Sequence, residues 1–174
     1  MKKKALSLYC ITFMVFCQVL LCCGAVKAIS ENGLSTISSN CEQIKTALRN
    51  VQHSDSRTRV YIGGYYEKFL SKFIKPLNLR LVNNNVEPSE VTNNLISNQN
   101  SFATAQINFK DDFIEYQKLL EELINSDCKN HPQDFYNLLV TVRDKRQTMV
   151  SDIAKATELI QKHVELVRQL KGTL

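Results

Sequence analysis

The side chains able to do chemistry are few and widely spaced. Histidine occurs three times, at His53, His131 and His163. None has the i, i+4 spacing of a helical zinc pair, and no Glu-x-x-His supplies half of a di-iron bundle site. Carboxylates gather at Asp111-Asp112 with Glu115 and at Glu121-Glu122. Such groups hold a hard cation only when they converge; beside a basic neighbour they form a solvated face, which is the reading preferred here. Gly63-Gly64 lies inside a helical pattern, without the strand or lysine of a phosphate loop. Arg143-Asp144-Lys145-Arg146 is the densest basic patch beyond residue 28, and an acid already interrupts it. No catalytic residue, metal site or cofactor is predicted, and the chain is read as non-enzymatic.

Three constellations remain: Cys41 with Cys128, Asp55 with Arg146, and the tyrosines Tyr61, Tyr65 and Tyr66 around the two glycines. Their meaning depends on the elements that position them. The chain has 174 residues, 44% of them hydrophobic and 22% charged, enough for a packed core. Five Gly and three Pro are too few for a turn-rich β fold. Apolar residues instead recur at steps of three and four over three long segments, the helical signature.

The first segment, from about Ser39 to Val82, carries Ile44, Leu48, Val51, Asp55, Thr58, Ile62, Tyr65, Phe69 and Phe73. Ser39-x-x-Glu42 predicts a capping box at its start, and Pro76 predicts a kink or break. Asn83–Pro88 is the expected turn. The second segment, from about Ser89 to Asn125, carries Leu95, Gln99, Phe102, Gln106, Phe109, Phe113, Tyr116, Leu120 and Ile124. The third begins at Pro132 and carries Phe135, Leu139, Val142, Arg146, Met149, Ile153, Ala156, Ile160, Val164, Val167 and Leu170. Short connections between helices of similar length force neighbours to run antiparallel. Ser39–Val82 holds eight basic and three acidic residues, and Ser89–Asp127 two and seven, so opposite fields favour this pairing. The expected fold is all-α, an elongated antiparallel three-helix bundle over residues 39–174.

That arrangement assigns the constellations. Arms of 42 and 40 residues return Cys128 to the level of Cys41, which predicts a disulfide. Asp55 lies 14 residues below Cys41 and Arg146 lies 14 below Pro132, so both charges fall at one depth. A buried ion pair that fixes register is one reading; two side chains reaching out to solvent is the other. Gly63-Gly64 predicts a waist where backbones approach closely, or where a tyrosine packs over the gap. The tyrosines read as core filling or as an exposed patch for a partner.

Residues 1–28 read as an export segment. Lys2, Lys3 and Lys4 precede the uncharged run Ala5–Val26, whose 22 residues make about 33 Å of helix. Val26-Lys27-Ala28 offers small residues for cleavage before Ile29, whereas the length of the run suits a retained membrane anchor. Residues 29–38 are polar and read as a linker. Of 22 Lys and Arg, four lie in residues 1–28, leaving 18 against 17 acidic residues. A nucleic-acid partner is therefore not expected. Cys41 and Cys128 are the only cysteines beyond the apolar segment, as suits an oxidising compartment.

Ser39-Asn40-Cys41, Asp55-Ser56-Arg57-Thr58-Arg59, Pro76-Leu77-Asn78-Leu79-Arg80-Leu81, Asp127-Cys128 and Pro132-Gln133-Asp134-Phe135-Tyr136 together resemble a family of uncharacterised exported helical proteins from small-genome candidate-phylum (Saccharibacteria-like) bacteria. The resemblance covers nearly all of residues 29–174 and implies a bacterial envelope location, with no activity attached. The function expected from the sequence is a non-catalytic, extracytoplasmic spacer or interaction module. It would bind a protein partner or a second copy through its helix faces, and the membrane through residues 5–26 if these are retained. The alternative is a carrier or chaperone-like bundle that admits an apolar ligand, with Tyr65, Phe69 and Phe73 lining its cavity.

Overall fold

The computed structural model describes residues 29–83 and 89–173. The export segment 1–28 and residues 84–88 of the expected turn lie outside the described residues. Among those described, every regular element is helical: α1 (Glu31–Ser39), α2 (Cys41–Phe69), a π-helical turn (Leu70–Ile74), α3 (Lys75–Asn83), α4 (Glu90–Asn125) and α5 (Pro132–Thr173). No described helix is long and apolar enough to cross a membrane.

Residues 29–38 differ from the predicted linker. Most of them form α1, because Leu34 and Ile37, three apart, share a face and Ile37 is buried. The Ser38 hydroxyl also donates to the Lys129 carbonyl at 2.7 Å, tying α1 to the turn before α5. With Ser39 inside α1, it cannot cap α2; Asn40 takes that position and makes no side-chain cap bond. The capping box lies instead at α4. There the Thr92 amide donates to the Ser89 hydroxyl, and the Ser89 amide donates to the Thr92 hydroxyl.

Pro76 does not break its helix. The backbone passes from α2 into α3 through the π turn, where the Lys75 amide reaches back to the Leu70 carbonyl. Proline lacks the amide that an α-helical ladder needs, and a wider turn before it relieves the clash of its ring. The π turn also moves the buried face within it from Phe73 to Ile74. Tyr66, Leu70, Ile74 and Asn78, four apart, face inward, while Tyr65 and Phe73 of the predicted stripe are half exposed. A strict spacing of four drifts around an α-helix, and a π turn takes up that drift.

The α4 stripe is buried as predicted from Leu95 through Ile124, with Gln99 and Gln106 at its edges. On α5 the stripe holds to Ala156, slips by one residue through Leu166 and is met again at the predicted Leu170. Leu159, His163, Leu166 and Leu170 are buried, and Val164 is exposed. Side-chain pairs give the directions of the helices. Cys41 meets Cys128, Asp55 meets Tyr116, and Asn78 meets Leu95, so α2 with α3 runs antiparallel to α4. Asp112 meets Lys145 and Asn98 meets His163, so α4 runs antiparallel to α5.

The predicted waist is absent. A β-carbon added at Gly63 or Gly64 would meet nothing within 4 Å, so neither close approach nor a covering ring explains the pair. Two helical glycines with open space carry only their entropic cost. Gly63→Ala combined with Gly64→Ala is therefore expected to stabilise the protein by about 2 kcal/mol, read from chemical denaturation. A loss of stability would mean that the two glycines make room for a contact that their open surroundings do not show.

Candidate functional site

The apolar seam between the helices is interrupted by polar groups at several depths. Nearest the α2 start stands the staple. Cys41 opens α2 and Cys128 lies in the turn between α4 and α5, with both side chains buried and a Cα separation of 5.5 Å. Asp127 shapes that turn. Its carboxylate accepts from the Lys129 and Asn130 amides at 3.1 Å and from Asn130 Nδ2 at 2.7 Å, which holds its pKa below the usual range.

One layer deeper, Asp55 of α2 sits among Arg146 of α5 and Tyr116 of α4. Arg146 Nε donates to Asp55 Oδ2 at 2.8 Å and Nη2 donates to Oδ1 at 3.0 Å, a two-pronged pairing. The Tyr116 hydroxyl donates to the same Oδ2 at 2.6 Å. Burial, and then the carboxylate itself, raise the tyrosine pKa, while Asp55 raises that of Arg146. Both oxygens of Asp55 are engaged and the group is enclosed, so it has no position open for a reacting atom. The arrangement suits alignment of three helices. Tyr116 completes it, and its polar tip was invisible in a stripe that reads as core filling.

Beside this layer, Lys145 Nζ donates to Asp112 at 2.6 Å and also pairs with Glu115. An ammonium group therefore sits between Asp112 and Glu115, two carboxylates of that run, while Asp111 is exposed. Asp152, two turns of helix beyond Lys145, buries Oδ2 without a hydrogen-bond partner. Burial, and then the neighbouring Asp112, push its pKa up to about 6, while the Lys145 bond holds Asp112 below the ordinary range. A carboxyl whose folded pKa is raised favours the fold most when protonated, and that advantage is lost as pH rises toward 6. Asp152→Asn is thus expected to raise the melting temperature at pH 7.5 and to leave it nearly unchanged near pH 3, below the ordinary carboxyl range. A larger gain near pH 3 would reverse the assignment.

The deepest polar layer escaped the sequence reading. Asn98 of α4 donates from Nδ2 to the Leu159 carbonyl at 2.9 Å, and the same nitrogen lies 3.4 Å from His163 Nδ1. Asn78 of α3 donates to the Leu95 carbonyl and to Gln99 Oε1. Asn78 Oδ1, Asn98 Oδ1 and His163 Nε2 are buried with no partner. The signal was ambiguous in α5, because Leu159 and Leu166 are as apolar as Ile160 and Val167 one position on. Periodicity alone could not choose the phase that buries His163.

The tyrosines divide. Tyr66, included in the predicted patch, is a core residue at 3% exposure, edge-on to Phe102 and Phe109, and its hydroxyl donates to the Ile153 carbonyl at 3.1 Å. Burial raises its pKa. Tyr61 at 78% and Tyr65 at 50% exposure remain on the surface. Tyr65, Phe69 and Phe73 stack in sequence along one side of α2 and the π turn. Among the described residues, no group of three or more His, Cys, Asp or Glu is arranged to hold a metal ion. No family model, curated protein or solved structure matches this chain.

Proposed function

We propose that the chain is a non-catalytic exported protein of the bacterial envelope: an elongated antiparallel three-helix bundle, stapled by one disulfide, that serves as a spacer or interaction module. The observation that carries this reading is the Cys41–Cys128 pair, which joins the start of α2 to the far end of α4. Such a bond persists in an oxidising compartment. The uncharged run 5–26 behind Lys2, Lys3 and Lys4 supplies the route of export. The saturated Asp55 layer supports an aligning role, since every acceptor there already serves a neighbouring helix. Exposed Val60, Tyr61, Ile107 and Ile114 supply apolar surface for a partner.

A carrier is the second reading, favoured by the Tyr65–Phe69–Phe73 stack whose outer rings are half exposed. Expression of the full chain in a bacterial host, followed by fractionation and thiol labelling, tests the first reading. The chain is expected in the envelope or extracellular fraction, with Cys41 and Cys128 labelled only after reduction. A cytoplasmic chain with both thiols open would overturn it. Lipid retained in native mass spectrometry would favour the carrier.

A further inference from the structure

The two ends of the helical assembly are held by different means. At one end the Cys41–Cys128 bond ties α2 to the turn after α4. At the other, the segment from Phe69 through α3 rests on α4 and α5 across the layer that leaves Asn78 Oδ1, Asn98 Oδ1 and His163 Nε2 unpartnered. That segment is interrupted by the π turn and by Pro76, so its own helical ladder is incomplete.

We propose that this end is an acid-opened latch with His163 as its trigger: protonation releases Phe69–Asn83 from α4 and α5, while the disulfide keeps the opposite end closed. The hydrogen-bond geometry gives the reason. The Leu159 carbonyl fixes the orientation of the Asn98 amide, which turns its NH2 toward His163 Nδ1. A neutral ring can accept there. Its own hydrogen then sits on Nε2, already without an acceptor, and protonation adds a hydrogen at Nδ1 that points at another donor, together with a charge that nothing there can accept.

The surroundings offer no compensation. Phe69 and Phe73 pack edge-on against the ring from α2 and the π turn, and Asn98 faces it from α4. None of these is charged. On α5 itself the adjacent Lys162 is exposed, as is Glu165. Burial is the sole cause that lowers the histidine pKa. A group whose folded pKa lies below its open-state value loses stability as pH falls through the open-state value, about 6.5 for histidine. The Asp112–Asp152 pair has the opposite sign, because acid relieves it.

Amide hydrogen exchange on the purified, oxidised full chain tests the latch, whether or not the protein is exported. One linked proton changes the opening equilibrium about tenfold per pH unit below 6.5, until the folded histidine itself titrates. Protection over residues 69–83, corrected for the intrinsic exchange rate, is expected to fall by that factor from pH 6.5 toward 5. Residues 41–55 should keep theirs. His163→Leu should abolish the dependence, and His53→Gln with His131→Gln should preserve it. An acid response that persists in His163→Leu, or one uniform along the chain, would overturn the proposal. If that variant does not fold, the wild-type ring decides by NMR: opening while His163 remains neutral is equally contradictory.

Discussion

Replacing both Cys41 and Cys128 by alanine should lower the melting temperature by roughly 10 °C or more. The bond closes a loop with a sequence separation of 87 residues, half the length of the chain. In the chain-entropy description, a loop of this size restricts the unfolded state by roughly 4 kcal/mol. For a domain of this length each kcal/mol moves the midpoint by about 2–4 °C. Alanine is preferred to serine because Cys128 is fully buried and a hydroxyl there would lack a partner. Reduction of the wild-type protein should reproduce the shift, and reductant should leave the variant unaffected. Equal midpoints for oxidised and reduced wild type would show that the bond does not constrain the unfolded chain.

The second large effect belongs to Asp55. Asp55→Ala removes the acceptor for two Arg146 donors and for the Tyr116 hydroxyl at once. Breaking a buried ion pair from one side costs about 3–5 kcal/mol, because the remaining charge is left uncompensated. Arg146 keeps 31% of its side chain in solvent, which places the expected loss near 3 kcal/mol. Arg146→Ala in the same background should cost much less than it does alone. The double-mutant cycle should yield a coupling above about 1 kcal/mol, more than exposed pairs provide. Strict additivity would place both side chains in solvent. Replacing all three groups with apolar residues (Asp55→Leu, Tyr116→Phe and Arg146→Met) should recover most of the stability while weakening the definition of register.

This layer also shows what the sequence made legible. Equal descents of 14 residues from Cys41 and Pro132 brought Asp55 and Arg146 together, because straight α-helices convert residue number into depth at a constant rise. The same arithmetic located the cysteine pair. It worked least well where the rise or phase changes. The π turn displaced the inward face from Phe73 to Ile74, and no local spacing announced it; upstream of the turn, Tyr66 replaces Tyr65 because it lies three regular turns from Asp55. Residues 29–38 read as linker because polar side chains dominate them. Yet Ile37 and the Ser38 bond to Lys129 show tertiary packing outweighing weak local preference. Buried asparagines were the least visible, since Asn78, Asn98 and His163 resemble surface residues until the partner helices are in place.

Peptide mass spectrometry of the natively purified protein, without reductant, reads the staple of the helical module itself. After proteolysis and alkylation, one cross-linked species is expected, joining the Cys41 peptide to the Cys128 peptide and two hydrogens lighter than the separate thiols. The same spectrum should show a mature chain that either starts near Ile29 or retains residues 1–28 with membrane. Two alkylated thiols in protein taken directly from its native compartment would contradict the staple and the oxidising location together.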